Sequence, residues 1–256
     1  MSSMLTVQRT GRVLVVTLAR PPVNALNDEL IAQLNTALDQ AIADENVTVL
    51  HLRSDQKAFC AGADLALMQS CFATPDGPDA MVEVVRQMQR LFARLENAPL
   101  ITLAEIGGAA MGGGLELALA CDIRVAALQA KLGLPEVTLG LVPAAGGTQR
   151  LTRLCGSGIA KRLILGGEIL DGAQAAQLGL VHWAQPREQL PAWTTELGAR
   201  IAASPRAALA ANKRCITAAL DAGRDGFAEE IAETRQLYEH PETRRKVAAF
   251  LDKGKV

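Results

Sequence analysis

The chain predicts an α/β fold in which a mostly parallel sheet is followed by an all-helical C-terminal region. Three observations carry that prediction. β-branched runs alternate with helix-period segments up to about Gly147, glycine-marked turns stand where strands pass into helices, and after Gly147 helical patterns dominate. In βαβ folds of this kind the active residues are expected at the strand-to-helix turns.

Leu5 to Arg9 and Val13 to Leu18 read as strands around a Thr10-Gly11 turn. Arg20-Pro21-Pro22 ends the second, because proline cannot donate to a ladder. Asn27 is placed to cap a helix whose apolar face is Leu30, Ile31, Leu34, Leu38 and Ile42. Val47 to Leu52 is a compact β-branched run and reads as a buried strand, so the chain opens β-β-α-β. Gln69 to Asp79, with Pro75-Asp76-Gly77-Pro78, carries loop signals. A helix follows with Val84, Val85, Met88, Leu91, Phe92 and Leu95 inward. Then come a strand at Leu100 to Ile106, a helix at Leu115 to Cys121 and a strand at Ile123 to Ala126. Beyond Gly147 the periodicity predicts helices over 148–154, 157–165, 173–178, 187–203, 206–220, 225–239 and 242–252.

The bulk composition narrows the function classes. The 256 residues are 49% hydrophobic but only 3% aromatic, so a sizeable core is built from Ala, Leu, Val and Ile. Lysine and arginine number 26 against 27 acidic residues, without a long basic run, which argues against a general nucleic-acid surface. Met1 to Leu5 has no basic and apolar leader pattern, and no apolar run is long enough to span a membrane. The five cysteines show no paired spacing and the three histidines lie far apart, so neither a disulfide framework nor a metal site is supported. A reduced, soluble, cytoplasmic protein is expected.

Two glutamates stand beside backbone turns. Glu116 closes Gly112-Gly113-Gly114-Leu115-Glu116, and Glu136 closes Leu134-Pro135-Glu136. Upstream lies another small-residue turn, Phe59-Cys60-Ala61-Gly62-Ala63-Asp64. Three glycines between strand and helix let the backbone approach another group, and the free N–H groups of the first helical turn face outward. Such donors stabilise an oxyanion by about 2.7–4 kcal/mol in the transition state. Each feature also has a plainer reading: tight strand–helix packing for the glycines, dipole complementation for Glu116, a solvated turn for Glu136. Nucleotide motifs fit poorly, since Gly107-x-Ala109-x-x-Gly112 lacks its middle glycine and no P-loop is present. Cys60 has no nearby histidine and reads as a buried, inert thiol.

Taken together, Lys57 to Leu65, Met111 to Glu116, Cys121-Asp122, Leu134-Pro135-Glu136, Gly140-Leu141-Val142-Pro143 and Gly146 to Leu151 resemble the crotonase superfamily, and most of all its enoyl-CoA hydratases. Arg20-Pro21-Pro22-Val23-Asn24-Ala25-Leu26 fits that family's opening segment. The resemblance implies a spiral of ββα turns over residues 1–195 and a helical oligomerisation region over 196–256. It also implies a homotrimer or dimer of trimers acting on acyl-CoA thioesters. By position it implies Glu116 and Glu136 as the catalytic carboxylates and the N–H groups of Ala63 and Gly113 as an oxyanion hole. Ala61, Asp64 and Leu65 would lie along the CoA groove. No metal or redox cofactor is implied, since CoA arrives with the substrate.

The implied reaction is addition of water to a 2-trans-enoyl-CoA, giving a 3-hydroxyacyl-CoA. A Δ3,Δ2-enoyl-CoA isomerase and a non-catalytic acyl-CoA-binding protein of the same fold are the alternatives; retention of both glutamates favours the hydratase. Three departures stand out: Gly107 where many relatives carry Asn, Ala66 where some hydratases carry Lys, and a short tail ending Lys253-Gly254-Lys255-Val256. Acyl length and branching are expected to depend on the segment from Gln69 to Val84.

Overall fold

A computed structural model describes residues 3–253. The readings of Met1-Ser2 and of Gly254-Lys255-Val256 lie outside those residues. The chain opens with β1 (Leu5–Thr10) and β2 (Val13–Leu18), an antiparallel hairpin turned at Gly11. Helix α1 (Asp28–Ala43) is capped as its sequence predicts, the Asn27 side chain accepting from the Leu30 N–H.

From there the same unit recurs. β3 (Val49–Ser54) and β4 (Ala58–Cys60) lead to α2 (Leu65–Phe72) and α3 (Gly77–Asn97). β5 (Ile101–Ile106) and β6 (Ala109–Met111) lead to α4 (Gly113–Leu119). β7 (Ile123–Ala127) and β8 (Lys131–Gly133) lead to a 3-10 turn (Pro135–Leu139) and α5 (Gly147–Leu165). In the three units from β3 onward the first strand joins one sheet and the second joins another, which is the expected spiral of ββα turns, whereas β1 and β2 both lie in the larger sheet. The larger sheet has the order β1-β2-β3-β5-β7-β10, with β10 at Trp183–Gln185, and is parallel except for β1. The smaller has the order β4-β6-β8-β9, with β9 at Ile169–Asp171.

Helices cover both faces of the larger sheet, as parallel strands require. Val16, Leu50 and Leu52 meet Leu34 of α1 and Leu91 and Leu95 of α3. On the other face α7 (Leu190–Ala202) lies close enough that Gly198 faces Leu103 and Val13. α6 (Gly172–Gln177), α8 (Arg206–Ala218), α9 (Gly226–Glu239) and α10 (Pro241–Lys253) complete the chain. The C-terminal region is therefore helical, as expected. No helix among the described residues is long and apolar enough to cross a membrane.

One expectation changes. Most of Gln69 to Asp79 is helical, leaving only Ala73 to Asp76 as the connection between α2 and α3. The Asp64 carboxylate starts α2 by accepting from Ala66 and Leu67, and Pro78 sits in the opening turn of α3, where its missing N–H costs nothing. None of α2 is fully buried, so it carries no clear periodic signal. The two helices expected at 148–154 and 157–165 are both present as the two halves of α5, divided as expected by a kink at Gly156 (φ 79°, ψ 160°).

The segment before α1 is anchored by a buried Asn24. Its amide donates to Ser54 Oγ at 2.7 Å and to the Phe59 carbonyl at 2.9 Å, while its Oδ1 accepts from the Arg20 N–H at 2.8 Å. Asn24 adopts φ 55°, a left-handed conformation that asparagine tolerates better than most residues. Asn24→Ala removes these bonds and strands buried carbonyls, so a loss of roughly 1–3 kcal/mol is expected. The urea midpoint reads it; an unchanged midpoint would discount Asn24 as an anchor.

Candidate active site

The site forms because β4, β6 and β8 are parallel neighbours. Their register pairs Cys60 with Ala110 and Ala110 with Leu132, so the chain leaves all three strands on one side. The turns at Ala61 to Asp64, Gly112-Gly113 and Leu134 to Glu136 are thereby gathered at the C-terminal ends of the strands. This is the usual place for ligands in parallel sheets. The sequence signals lay far apart; the second sheet brings them together.

Gly114 makes the close approach possible. A Cβ there would lie 2.0 Å from the Cys60 carbonyl oxygen, so α4 rests against β4 backbone to backbone. Gly113 opens α4, and its N–H has no partner within the helix. Ala63 forms a parallel bridge with Leu26, whose N–H donates to Gly62 O at 2.7 Å and whose carbonyl accepts from Asp64 N at 3.0 Å. In that geometry the N–H of Ala63 itself points away from Leu26. Its nitrogen lies beside the start of α4: the position of a Cβ on Gly113 is 3.5 Å from Ala63 N, and that of a Cβ on Gly62 is 3.2 Å from Gly113 N. The backbone nitrogens of Ala63 and Gly113 are therefore close neighbours at the ends of β4 and β6.

The glutamates border the same space. Glu116, in the first turn of α4, is 2% exposed, and its Oε1 accepts from the Gly147 N–H at 2.7 Å. Burial pushes its carboxyl up to about 7, and the nearby Glu136 adds repulsion, against the opposing pull of the Gly147 hydrogen bond. Glu136 is also held above the ordinary carboxylate range, by burial. Its Oε1 lies 3.0 Å from where a Cβ on Gly112 would stand, and its buried Oε2 has no hydrogen-bond partner among the described residues. Two carboxyls that resist ionisation, side by side on one cavity, form a chemically competent pair for exchanging protons near neutrality.

A cavity of about 570 Å³ opens from this point. Ala61, Ala63, Gly113, Glu116 and Glu136 line it, as does the half-exposed Leu65. The inner surface of α3 and the segment Leu139 to Ala145 supply mainly apolar walls. Asp64 does not line it. Its carboxylate caps α2 and pairs with Arg20 at 2.6 Å, a bond that also keeps it below the usual carboxylate range. Cys60 is fully buried, its thiol pushed up to about 12 by burial, consistent with an inert role. Sequence reasoning missed two contributors. Gly147, whose N–H fixes Glu116, was visible only as part of a Gly-Gly pair, and Met88, whose methyl faces Gly113, was visible only as a core position of its helix.

Comparison with known proteins identifies the family and the fold. The family model for enoyl-CoA hydratase/isomerase matches residues 8–256. The 2,3-dehydroadipyl-CoA hydratase of Escherichia coli is 39% identical over 243 residues, covering 92% of this chain and 89% of that protein. The structure of an enoyl-CoA hydratase from Bacillus anthracis superposes with a TM-score of 0.91 at 32% identity, covering 98% of this chain and 97% of the other. That of DspI from Pseudomonas aeruginosa gives a TM-score of 0.91 at 35% identity, over 98% and 95% of the two chains. The chain belongs to the enoyl-CoA hydratase/isomerase family.

Proposed function

We propose that the protein is an enoyl-CoA hydratase, adding water across the double bond of a 2-trans-enoyl-CoA to give a 3-hydroxyacyl-CoA. The observation that carries this reading is the buried Glu116 and the partly buried Glu136, which line one cavity together with Ala63 and Gly113. The thioester oxygen sits between the N–H groups of Ala63 and Gly113, which polarises the C=O and makes C3 electrophilic. Glu116, held by Gly147, orients a water and takes its proton as oxygen bonds to C3. Glu136 gives a proton to C2, so the elements of water are added and one carboxyl begins protonated while the other is charged. An isomerase needs only one such group to shuttle a proton, and the two raised carboxyls favour the hydratase.

Ala61 and Leu65 border the CoA arm in this reading, and Asp64 contributes through its backbone because its carboxylate is already committed to Arg20. No cofactor beyond the substrate's own CoA is required. The helices of residues 196–256 expose Phe227, Ile231, Tyr238 and Phe250, apolar surface that supports self-association as a trimer or dimer of trimers. Light scattering on the purified protein tests that assembly. The activity is tested with crotonyl-CoA: loss of the enoyl-thioester absorbance with formation of 3-hydroxybutyryl-CoA is expected. Conversion of 3-enoyl-CoA without any hydration would replace this reading with the isomerase.

A further inference from the structure

Arg86 is the one cationic side chain among the described residues that line the cavity, whose other charged members are Glu116 and Glu136. It lies on α3 at the edge of a stripe of apolar side chains that includes Met81, Val82 and Val85. Its side chain is 62% exposed while still lining the cavity, which sets the guanidinium at the open rim. Its ion-pair contact is with Glu83 at 3.6 Å, longer than a hydrogen bond, and Glu83 is held more closely by Arg90 at 2.6 Å. Two guanidiniums thus share one carboxylate, with Arg86 the more loosely held of the two, so that most of its planar donor fork is open to another acceptor.

We infer that Arg86 is a specificity-determining residue that receives a carboxylate at the far end of the acyl group, so that the preferred substrate is a 2-enoyl-CoA ending in a carboxylate. This rests on the hydratase reading above. The charge distribution fixes the polarity of the bound chain. The thioester oxygen goes to Ala63 and Gly113, where Glu116 and Glu136 would repel a second anion. The methylene groups cross the apolar stripe of α3, and the terminal carboxylate emerges at the one guanidinium. Arginine suits this role because its parallel N–H groups match both carboxylate oxygens.

The test compares hex-2-enedioyl mono-CoA, which ends in a carboxylate, with hex-2-enoyl-CoA, which has the same carbon count and ends in a methyl. The ratio of their kcat/KM values is read at fixed ionic strength. Wild type is expected to favour the carboxylate-ended substrate. Arg86→Gln is expected to lower the ratio about tenfold or more, Arg86→Lys to lower it less, and Arg86→Glu to invert it. A wild-type preference for the methyl-ended chain overturns the inference. So does an equal fall for both substrates in Arg86→Gln, the result expected if the guanidinium serves CoA phosphates instead. Calorimetric binding of the saturated adipoyl mono-CoA and hexanoyl-CoA separates the two levels of the argument. Absence of hydration with a carboxylate preference that Arg86→Gln removes would sink the hydratase and keep the role of Arg86. Absence of both preference and hydration would sink the two together.

Discussion

Glu116→Gln and Glu136→Gln are each expected to lower kcat by about 10²–10⁴-fold on crotonyl-CoA, while binding of a saturated acyl-CoA survives. The expectation follows from what the substitution removes. Glutamine keeps the shape of each side chain, and at position 116 its carbonyl can still accept from Gly147, so the cavity is preserved. What disappears is the capacity to hold or release a proton. The N–H groups of Ala63 and Gly113 remain, so the residual rate should stay above that of free solution. Loss in the double variant should fall well short of the product of the single losses, because the two carboxyls serve one proton circuit. Steady-state kinetics beside calorimetric binding separates the cases. A rate within tenfold of wild type in either variant would exclude that glutamate from the chemistry. Weakened binding at unchanged kcat would make it a ligand contact only.

The legibility of this fold in its sequence varied with element length and with burial. The opening β-β-α-β was readable because β2 and β3 are long enough to show apolar runs, and α1 pairs a clear cap with one buried stripe. The smaller sheet was not readable. β4, β6, β8 and β9 are three residues each, made largely of Ala, Gly, Leu and single polar residues, too short for a period of two to register. Yet that sheet is what juxtaposes Ala63, Gly113 and Glu136. Hence the residues alone marked each turn as a place where backbone could meet a ligand, and only the whole motif set, through its resemblance to a family, joined them. Asp64 shows the reverse case: its place beside Ala63 was evident, whereas its engagement with Arg20, 44 positions away, depended on tertiary structure. Arg86 gave no local signal because a lone arginine on a helix reads as a solvated face.

Replacing Glu116 should also make the protein more stable at alkaline pH. Its carboxyl is held at about 7 in the folded chain against 4.5 for the free side chain. The folded state therefore keeps a proton that the unfolded chain has already released across that interval. The stability contributed by the neutral, buried form is fully present below pH 4.5 and is lost as pH rises through about 7. Each pH unit in between removes about 1.4 kcal/mol, so the loss totals on the order of 3 kcal/mol. Glutamine has no proton to lose. Glu116→Gln should match wild type near pH 4.5 and exceed it by up to about 3 kcal/mol at pH 8, with the difference growing between those values. Asp64 and Glu105, whose carboxyls are depressed, destabilise both proteins alike at acid pH and cancel from the comparison. Urea unfolding of both proteins across the range measures it. A difference that does not vary with pH would mean that Glu116 is solvated in the folded state, which would remove the reason for it to be an effective base near neutrality. A growing difference together with lost turnover would show a buried carboxyl retained at the expense of stability, as expected of a group kept for chemistry.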